Sequence, residues 1–488
     1  MIAKPHIDWF ALAPTLSLLG ASGVLLMVAV LAPRGIRKHA AAFFGFAGFV
    51  TAFVFAIVLD VRSPHVQAIV HDAMFRDRWS ALAQVLIAGS GAVTVLFSVR
   101  ERWREEHVSE YYALLTAAGA GMVFFVQASS LMTLFLGLEW FSIGLYTLTA
   151  IDIDLIGSLE AGLKYLIVGS VGSATLLFGS ALVYGETGQL SFDRIAAYGH
   201  QHDTMTVFGL AMIIAGLAFK SSSAPFHMWT PDAYQGAPSP VTAFMSSATK
   251  IAALVVTYRV LTVAFPADHD LWGIAIAVIA IVSLAWGNIA ALRQRNVKRI
   301  LAYSAVSHSG FMLIGIAAAN QLGARALLYY LIPYSAMSLG SFAVVAARER
   351  ELGVPVTLEN LAGFGWERPF LGVSMWVFML GFLGFPLTGG FIGKFYVFAA
   401  AYRQGWWWLI VAGVIATMIS AYYYLAVVRA MYFRDRAELQ LAPAGGSPPR
   451  ELTLSAGVLI CLAVTVGSFF AVQPLIDAAS SAAHALPL

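Results

Sequence analysis

Apolar residues fill this chain in runs of mostly about 20 or more positions, each long enough to cross a hydrocarbon core of about 30 Å as a helix. Fourteen such spans are expected, at roughly 12–31, 40–59, 79–99, 111–127, 131–151, 159–184, 205–235, 238–263, 271–292, 297–319, 324–347, 370–403, 406–433 and 452–472. The fourth is short, and the seventh and twelfth are over-long and interrupted. Barrel strands would instead alternate over about ten residues. The expected fold class is therefore an all-α integral membrane protein, a single polytopic domain. A charged fraction of 11% fits this reading, since soluble domains carry about 25%.

Short loops carry the cationic residues, and their asymmetry predicts orientation. With the N-terminus outside, sixteen fall on inward loops: Arg34, Arg37, Lys38, Arg100, Arg102, Arg104, Arg293, Arg295, Lys298, Arg299, Arg348, Arg350, Arg368, Arg434, Arg436 and Arg450. Eight fall outside, namely Lys4, Arg62, Arg76, Arg78, Arg194, Arg325, Arg403 and, near an outer helix end, Arg259. The positive-inside rule then places both termini on the outer side. Scattered in this way, a net charge of +3 does not suggest nucleic acid as a partner.

Four of the seven lysines, Lys164, Lys220, Lys250 and Lys394, lie inside the apolar spans. One carboxylate, Glu139, and two imidazoles, His227 and His308, share that environment. A lysine at bilayer depth costs about 2.5–3.5 kcal/mol on insertion scales, and such residues usually mark ion or proton pathways. Desolvation disfavours an ammonium, and a nearby carboxylate restores it. Approach or withdrawal of Glu139 would thus switch a membrane lysine between holding and releasing a proton. Imidazoles, which ordinarily titrate near neutral pH, suit relay positions between lysines.

Spans seven and twelve are broken beside lysines. Span seven reads Phe219-Lys220-Ser221-Ser222-Ser223-Ala224-Pro225-Phe226-His227, and Pro225 predicts a break or kink, with the three serines satisfying the freed carbonyls. Span twelve carries Gly384, Pro386, Gly389, Gly390 and Gly393 just before Lys394. Non-helical backbone at membrane depth is tolerated where protein or a wet cavity surrounds it. Paired interrupted helices at corresponding positions of two halves point to an ion site in an inverted-repeat transporter. The expected organisation is a three-helix segment over 1–110, a five-helix repeat over 111–263, an inverted five-helix repeat over 271–433, and a C-terminal helix and tail over 452–488. Residue identity between the halves is weak, so pattern alone carries the repeat.

Cys461 is the only cysteine, which excludes a disulfide within the chain, Cys-ligated iron–sulfur clusters and Cys-rich zinc sites. No metal or cofactor site is expected. The run Gly389-Gly390-Phe391-Ile392-Gly393-Lys394 has Thr388 at the first glycine position of a phosphate loop and Phe395 after the lysine, so it is not read as one. The N-terminal segment, with Asp8 and Pro14 around a full-length span, fits a retained helix better than a cleaved signal.

Plainer roles compete at several positions. Lys164 lies about one and a half turns inside its span, where a lysine can snorkel to the surface. Lys220, Lys250 and Lys394 lie near mid-depth, and Glu139 alone cannot pair with all three. His308, in Ser307-His308-Ser309-Gly310, can bond a neighbouring helix, and His227 can tie down the broken backbone. Asp232 and Tyr234 are expected to shape the loop after span seven, and Trp406–Trp408 an interfacial belt. Pro333 should kink span eleven.

The stretch F-K-S-S-S-A-P-F-H-M-W-T-P-D-A-Y-Q-G-A-P-S-P-V-T-A-F-M-S-S-A-T-K, Phe219 to Lys250, closely resembles the subunit N family of bacterial NADH-quinone oxidoreductases, respiratory complex I. L-G-L-E-W around Glu139, E-A-G-L-K-Y ending at Tyr165, N-V-K-R-I-L-A-Y-S-A-V-S-H-S-G from Asn296 to Gly310, G-F-I-G-K-F-Y-V at Gly390–Val397 and Tyr422–Tyr424 are similar too. The resemblance spans essentially the whole chain. It implies fourteen helices, two inverted five-helix repeats and a central hydrophilic axis. By position Glu139 is similar to the family's fifth-helix glutamate, Lys220 to its broken seventh-helix lysine, and Lys250 to its connecting eighth-helix lysine. Lys394 and Lys164 are similar to its twelfth- and sixth-helix lysines, and Tyr303 and His308 fall where it places polar tenth-helix residues. Trp140 and Ser222-Ser223-Ala224 depart modestly from its pattern.

The resemblance further implies a proton-translocating, antiporter-like subunit of a multi-pass complex in the bacterial cytoplasmic membrane, a translocase whose redox energy comes from other subunits. NAD, FMN, iron–sulfur clusters and quinone are then expected in those partners, none in this chain. The expected neighbours are the antiporter-like subunit M, small subunits K and J, and lipid. An Mrp-like sodium/proton antiporter subunit is the alternative. A non-catalytic scaffold and a carrier for an organic solute fit less well.

Overall fold

Short polar caps between apolar runs set where the helices of this protein begin. Asp77, Ser130, Asp203, Asn296 and Asn320 each accept a hydrogen bond from a backbone N–H of the first turn that follows, and Ser130 with Thr133 closes a reciprocal capping box. A computed structural model describes residues 7–101, 107–198, 203–434 and 451–488. In order these form α1 (Ala13–Leu31), α2 (Arg34–Arg62), the hairpin β1 (Gln67–Ile69) and β2 (Met74–Arg76), α3 (Arg78–Ser98), α4 (Val108–Phe125), α5 (Leu131–Thr149), α6 (Ile156–Thr187), α7 (Phe192–Tyr198), α8 (Thr204–Lys220) and α9 (Trp229–Gly236). The chain continues through α10 (Ser239–Phe244), α11 (Lys250–Arg259), α12 (His269–Ala291), α13 (Val297–Ala317), α14 (Gln321–Leu352), α15 (Phe364–Glu367), α16 (Pro369–Leu383), α17 (Gly389–Arg403), α18 (Trp407–Phe433), α19 (Leu452–Phe470) and α20 (Val472–Ala483). Among the described residues twelve helices are long and apolar enough to cross a membrane, and Thr204–Lys220 and Pro369–Leu383 are shorter apolar helices. The protein is an all-α, multi-pass membrane protein.

Burial separates a central group of helices from a surrounding one. The run from α10 through α11 is buried along its whole length, and α13 and α14 nearly so. Helices α1, α2, α6 and α19 instead expose apolar side chains such as Val30, Phe43, Ile167 and Leu459, as a lipid-facing surface requires. Close helix contact relies on small residues. A methyl group on Gly209 of α8 would lie 2.8 Å from the Gly179 carbonyl of α6, so only glycine allows that crossing. Helix α14 continues through Pro333.

Both interruptions are present, and the first differs in detail from its sequence reading. The sequence predicts a break at Pro225 closed by three serines, but α8 ends five residues earlier at Lys220. Ser221 Oγ reaches only the Ala218 carbonyl, 3.1 Å away, and pairs with Ser223 Oγ at 2.8 Å. Groups from other elements take the remaining carbonyls. Trp229 Nε1 donates to Phe219 O at 3.1 Å, and Lys250 and Ser309 donate to Ser221 O at 2.9 and 2.6 Å. A serine side chain is too short to reach back past its own turn, whereas α11 and α13 run beside the gap. The second break spans Gly384 to Thr388, with Gly384 in the left-handed region at φ +82°.

Two wide, π-helical turns flank α11, at Met245–Thr249 and Val260–Ala264. Such turns are frequent at functional sites. The first places Lys250 directly after an extra residue in the helix.

Candidate functional site

Three lysines and one histidine form a buried polar string through the central helices. Lys220, the last residue of α8, donates from Nζ to Ser142 Oγ at 2.7 Å and to Tyr165 OH at 3.1 Å. Its ammonium also lies 4.5 Å from the Phe141 ring centroid. Ser142 is one turn from Glu139 on α5, so Lys220 and Glu139 report to the same helix. The next peptide unit carries the string onward, because the Ser221 carbonyl accepts from Lys250 Nζ at 2.9 Å. Lys250 also donates to Ser309 Oγ, the residue beside His308.

His308 has both ring nitrogens engaged. Nδ1 pairs with Tyr330 OH at 2.9 Å and Nε2 with Tyr424 OH at 3.1 Å. A neutral imidazole donates from one nitrogen and accepts at the other, so the two tyrosines play opposite roles. A proton arriving at one nitrogen can therefore leave from the other. Tyr424 stacks on Phe382 near the end of α16 and pairs with Ser304 Oγ at 2.5 Å. Beyond it Lys394 Nζ donates to Leu383 O at 3.0 Å, approaches Thr417 Oγ1 at 3.4 Å, and lies 4.4 Å from the Phe311 centroid.

The two helix breaks do the same electrostatic job. Ser221 O follows the C-terminus of α8, and Leu383 O ends α16. A helix C-terminus carries unpaired carbonyls and about half a negative charge. Each break thus presents that end to an ammonium, Lys250 at the first and Lys394 at the second. No carboxylate pairs directly with Lys220, Lys250 or Lys394 among the described residues.

The remaining sequence candidates are placed less centrally. Glu139 is partly exposed, and its buried Oε1 has no hydrogen-bond partner among the described residues. Lys164 stands apart from the string. Its side chain is 48% exposed and pairs with Glu160 at 2.7 Å and Asp232 at 3.1 Å. Asp232 lies in α9 rather than in a loop and also binds Arg299 at 2.6 Å, tying α6, α9 and α13 together. Tyr234 is likewise helical and buried. His227 and Tyr303 pack against each other with ring centroids 6.4 Å apart, and among the described residues neither hydrogen-bonds to a lysine. The structure pairs these two but does not bring them into the string.

Sequence reasoning passed over Ser142, Tyr165, Ser309, Tyr330 and Tyr424, whose signal is a small or phenolic hydroxyl within a turn of a buried charge or on a facing helix. It placed Arg259 near an outer helix end but gave no sign of its burial. Arg259 is fully buried, with Nη2 2.6 Å from Asp77 Oδ2 and Nη1 2.8 Å from Val126 O. Asp77 in turn caps α3 through Ser80 N at 2.7 Å. The sequence gives no hint of a pair separated by 182 positions.

A broken-helix membrane bundle with lysines strung through its centre defines an antiporter-like protein. Residues 128–420 match the family described as NADH:quinone oxidoreductase/Mrp antiporter, TM, and the chain belongs to it. Within that class it belongs to the NADH-quinone oxidoreductase subunit N family. The subunit N of Azorhizobium caulinodans is 42% identical over 439 residues, covering 90% of this chain and 91% of the relative. That of Rhodospirillum rubrum is 38% identical over 472 residues, covering 95% and 94%. A chain of respiratory complex I from Thermus thermophilus, solved with bound aureothin, superposes with a TM-score of 0.80 at 30% identity, covering 96% of this chain and 99% of that one. A chain of the Mrp complex from Dietzia sp. shares the fold, with a TM-score of 0.85 at 22% identity, covering 98% and 97%.

Proposed function

We propose that this chain is the proton-translocating, antiporter-like subunit N in the membrane arm of a bacterial NADH:quinone oxidoreductase. The single observation that carries the reading is the series from Lys220 through Ser221, Lys250, Ser309 and His308 towards Lys394, all buried among the central helices. Protons load from the cytoplasm, pass along these groups and leave on the outer side. A shift of Glu139, imposed by a neighbouring subunit, alters the charge balance beside Lys220 and starts the cycle. Moving one charge against 100 mV costs about 2.3 kcal/mol, so chemistry in other subunits must drive each transfer.

The same reading supplies the finer arrangement. Counting α8 with α9 and α16 with α17 as single crossings gives fourteen transmembrane segments, in two inverted five-helix repeats over 111–263 and 271–433. The arginine-rich face is cytoplasmic and both termini lie outside. Subunits M, K and J are the neighbours, and NAD, FMN, iron–sulfur clusters and quinone belong to partner subunits. Lys164, His227 and Tyr303 serve at the edges of the axis.

The test is the reconstituted complex with Lys250→Ala or Lys394→Ala. Assembly with loss of NADH-driven proton uptake supports the reading, and normal pumping by either variant removes that lysine from the path. Co-purification without NADH dehydrogenase subunits would favour the Mrp-like alternative.

A further inference from the structure

A cavity of about 440 Å³ opens on the arginine-rich face, lined among others by Glu101, Asp152, Gln235, Ser239, Lys298 and Glu349. Its floor is a three-residue lock. Lys298 Nζ donates to Ala237 O at 3.0 Å and lies 3.3 Å from Glu349 Oε1, while Ser239 Oγ donates to Glu349 Oε2 at 2.5 Å. Lys298 and Ser239 are buried although they border this cavity. Asp154 and Arg350 also face the cavity.

Each residue of the lock shares a helix face with a buried serine two to three turns deeper, about 10–16 Å away. Along α13, Lys298 and Ser309 are eleven residues apart, about three full turns and hence one face of the helix. On α14, Glu349 and Ser338 have the same spacing. Ser239 and Ser246 are seven apart, about two turns along α10 into the wide turn that precedes Lys250. Two of the deeper residues meet, because Ser338 Oγ donates to Ser246 Oγ at 2.6 Å, and the third, Ser309, holds Lys250. Tyr334, one turn from Ser338, packs its ring 5.3 Å from that of His308. Three central helices therefore present a lock at the cavity and buried hydroxyls two to three turns below it, one of which, Ser309, holds Lys250.

We infer that Lys298, Glu349 and Ser239 form the inner gate of the proton path, with Ser246 and Ser338 as the hydroxyl step from gate to Lys250. This rests on the proton-translocating reading of the lysine string. Closed, the ion pair and the serine hydroxyl seal the floor. Protonation of Glu349 from cavity water removes its charge, loosens Lys298 and admits water to Ser246 and Ser338. The proton then passes to Lys250 once that lysine has handed its own proton on towards Ser309 and His308, and the restored carboxylate recaptures Lys298.

The test uses the whole complex in proteoliposomes. Glu349→Ala, which opens the floor, should dissipate an imposed pH gradient several-fold faster without NADH and lower the protons pumped per NADH. Ser338→Ala should slow pumping with no leak. Where Glu349→Ala assembles poorly, Glu349→Gln supplies the second measurement. In a Ser338→Cys background, Glu349→Gln should make the thiol reactive towards a small water-soluble reagent from the cytoplasmic side. Labelling is read on this subunit after its separation from the others, where the only native cysteine, Cys461, is buried. Lys250→Ala separates the two ideas. If it pumps normally, the string itself is wrong. If it abolishes pumping while the Glu349 variants stay tight, unreactive and fully coupled, the gate is wrong.

Discussion

Lys394 donates a hydrogen bond of 3.0 Å to the carbonyl of Leu383, eleven residues earlier and across the second helix break. The bond exists because Gly384 turns the chain at φ +82°, exposing the carbonyl end of α16. A methyl group at Gly384 would lie 3.0 Å from Lys394 Cδ. Gly384→Ala should therefore cost about 1–2 kcal/mol in backbone strain and push Lys394 off its acceptor. The expected result is a lowered melting temperature together with impaired NADH-driven proton uptake. An unchanged melting temperature and full pumping would show that the cap does not hold the lysine.

Tyr330 and Tyr424 hold opposite nitrogens of His308. Removing either hydroxyl deletes one hydrogen bond, worth about 0.5–1.5 kcal/mol. Tyr424→Phe should slow pumping more than Tyr330→Phe, because Tyr424 also serves Ser304. Combined with His308→Gln, each should show a non-additive effect in a double-mutant cycle on the pumping rate. Additivity would mean that the tyrosines act independently of the imidazole.

Breaking the Asp77–Arg259 pair should be a stability lesion rather than a transport lesion. Loss of one partner from a buried ion pair typically costs about 3–5 kcal/mol. Asp77→Asn and Arg259→Ala should reduce assembled complex in native gels. Arg259→Lys should rescue poorly, since an ammonium cannot span both carboxylate oxygens and Val126 O as the guanidinium does. Any variant that does assemble should pump normally per complex.

Lys164→Ala should be much milder than Lys220→Ala. Lys164 is solvent- or lipid-accessible and paired at the surface, whereas Lys220 is enclosed by Ser142, Tyr165 and Phe141. Pumping by the Lys164 variant close to the wild-type rate, beside a severe loss for Lys220, is the expected contrast. Equal losses would place Lys164 in the path.

The membrane helices were legible because lipid forces long apolar runs, and both breaks because glycine, serine and proline interrupt those runs. Lys220, Lys250, Lys394 and His308 announced themselves as rare polar residues in apolar surroundings. Their partners did not. Ser309 and Tyr424 look like ordinary helix residues until α13 is set beside both α11 and α18. The setting of Lys164 depends on Asp232, 68 positions away, and no local pattern encodes that meeting. Arg259 looked peripheral because its counterion belongs to another helix. Spacing along one helix was readable, and facing between helices was not.

The wide turn at Met245–Thr249 carries a consequence for how Lys250 is aimed. One residue of an α-helix corresponds to about 100° of rotation. Closing that turn to an ordinary α-helix with every residue kept would swing Lys250 roughly a quarter of the way round relative to α10, leaving its ammonium pointed away from Ser221. The aim of the central charge is thus set by one surplus residue in the thread of its own screw.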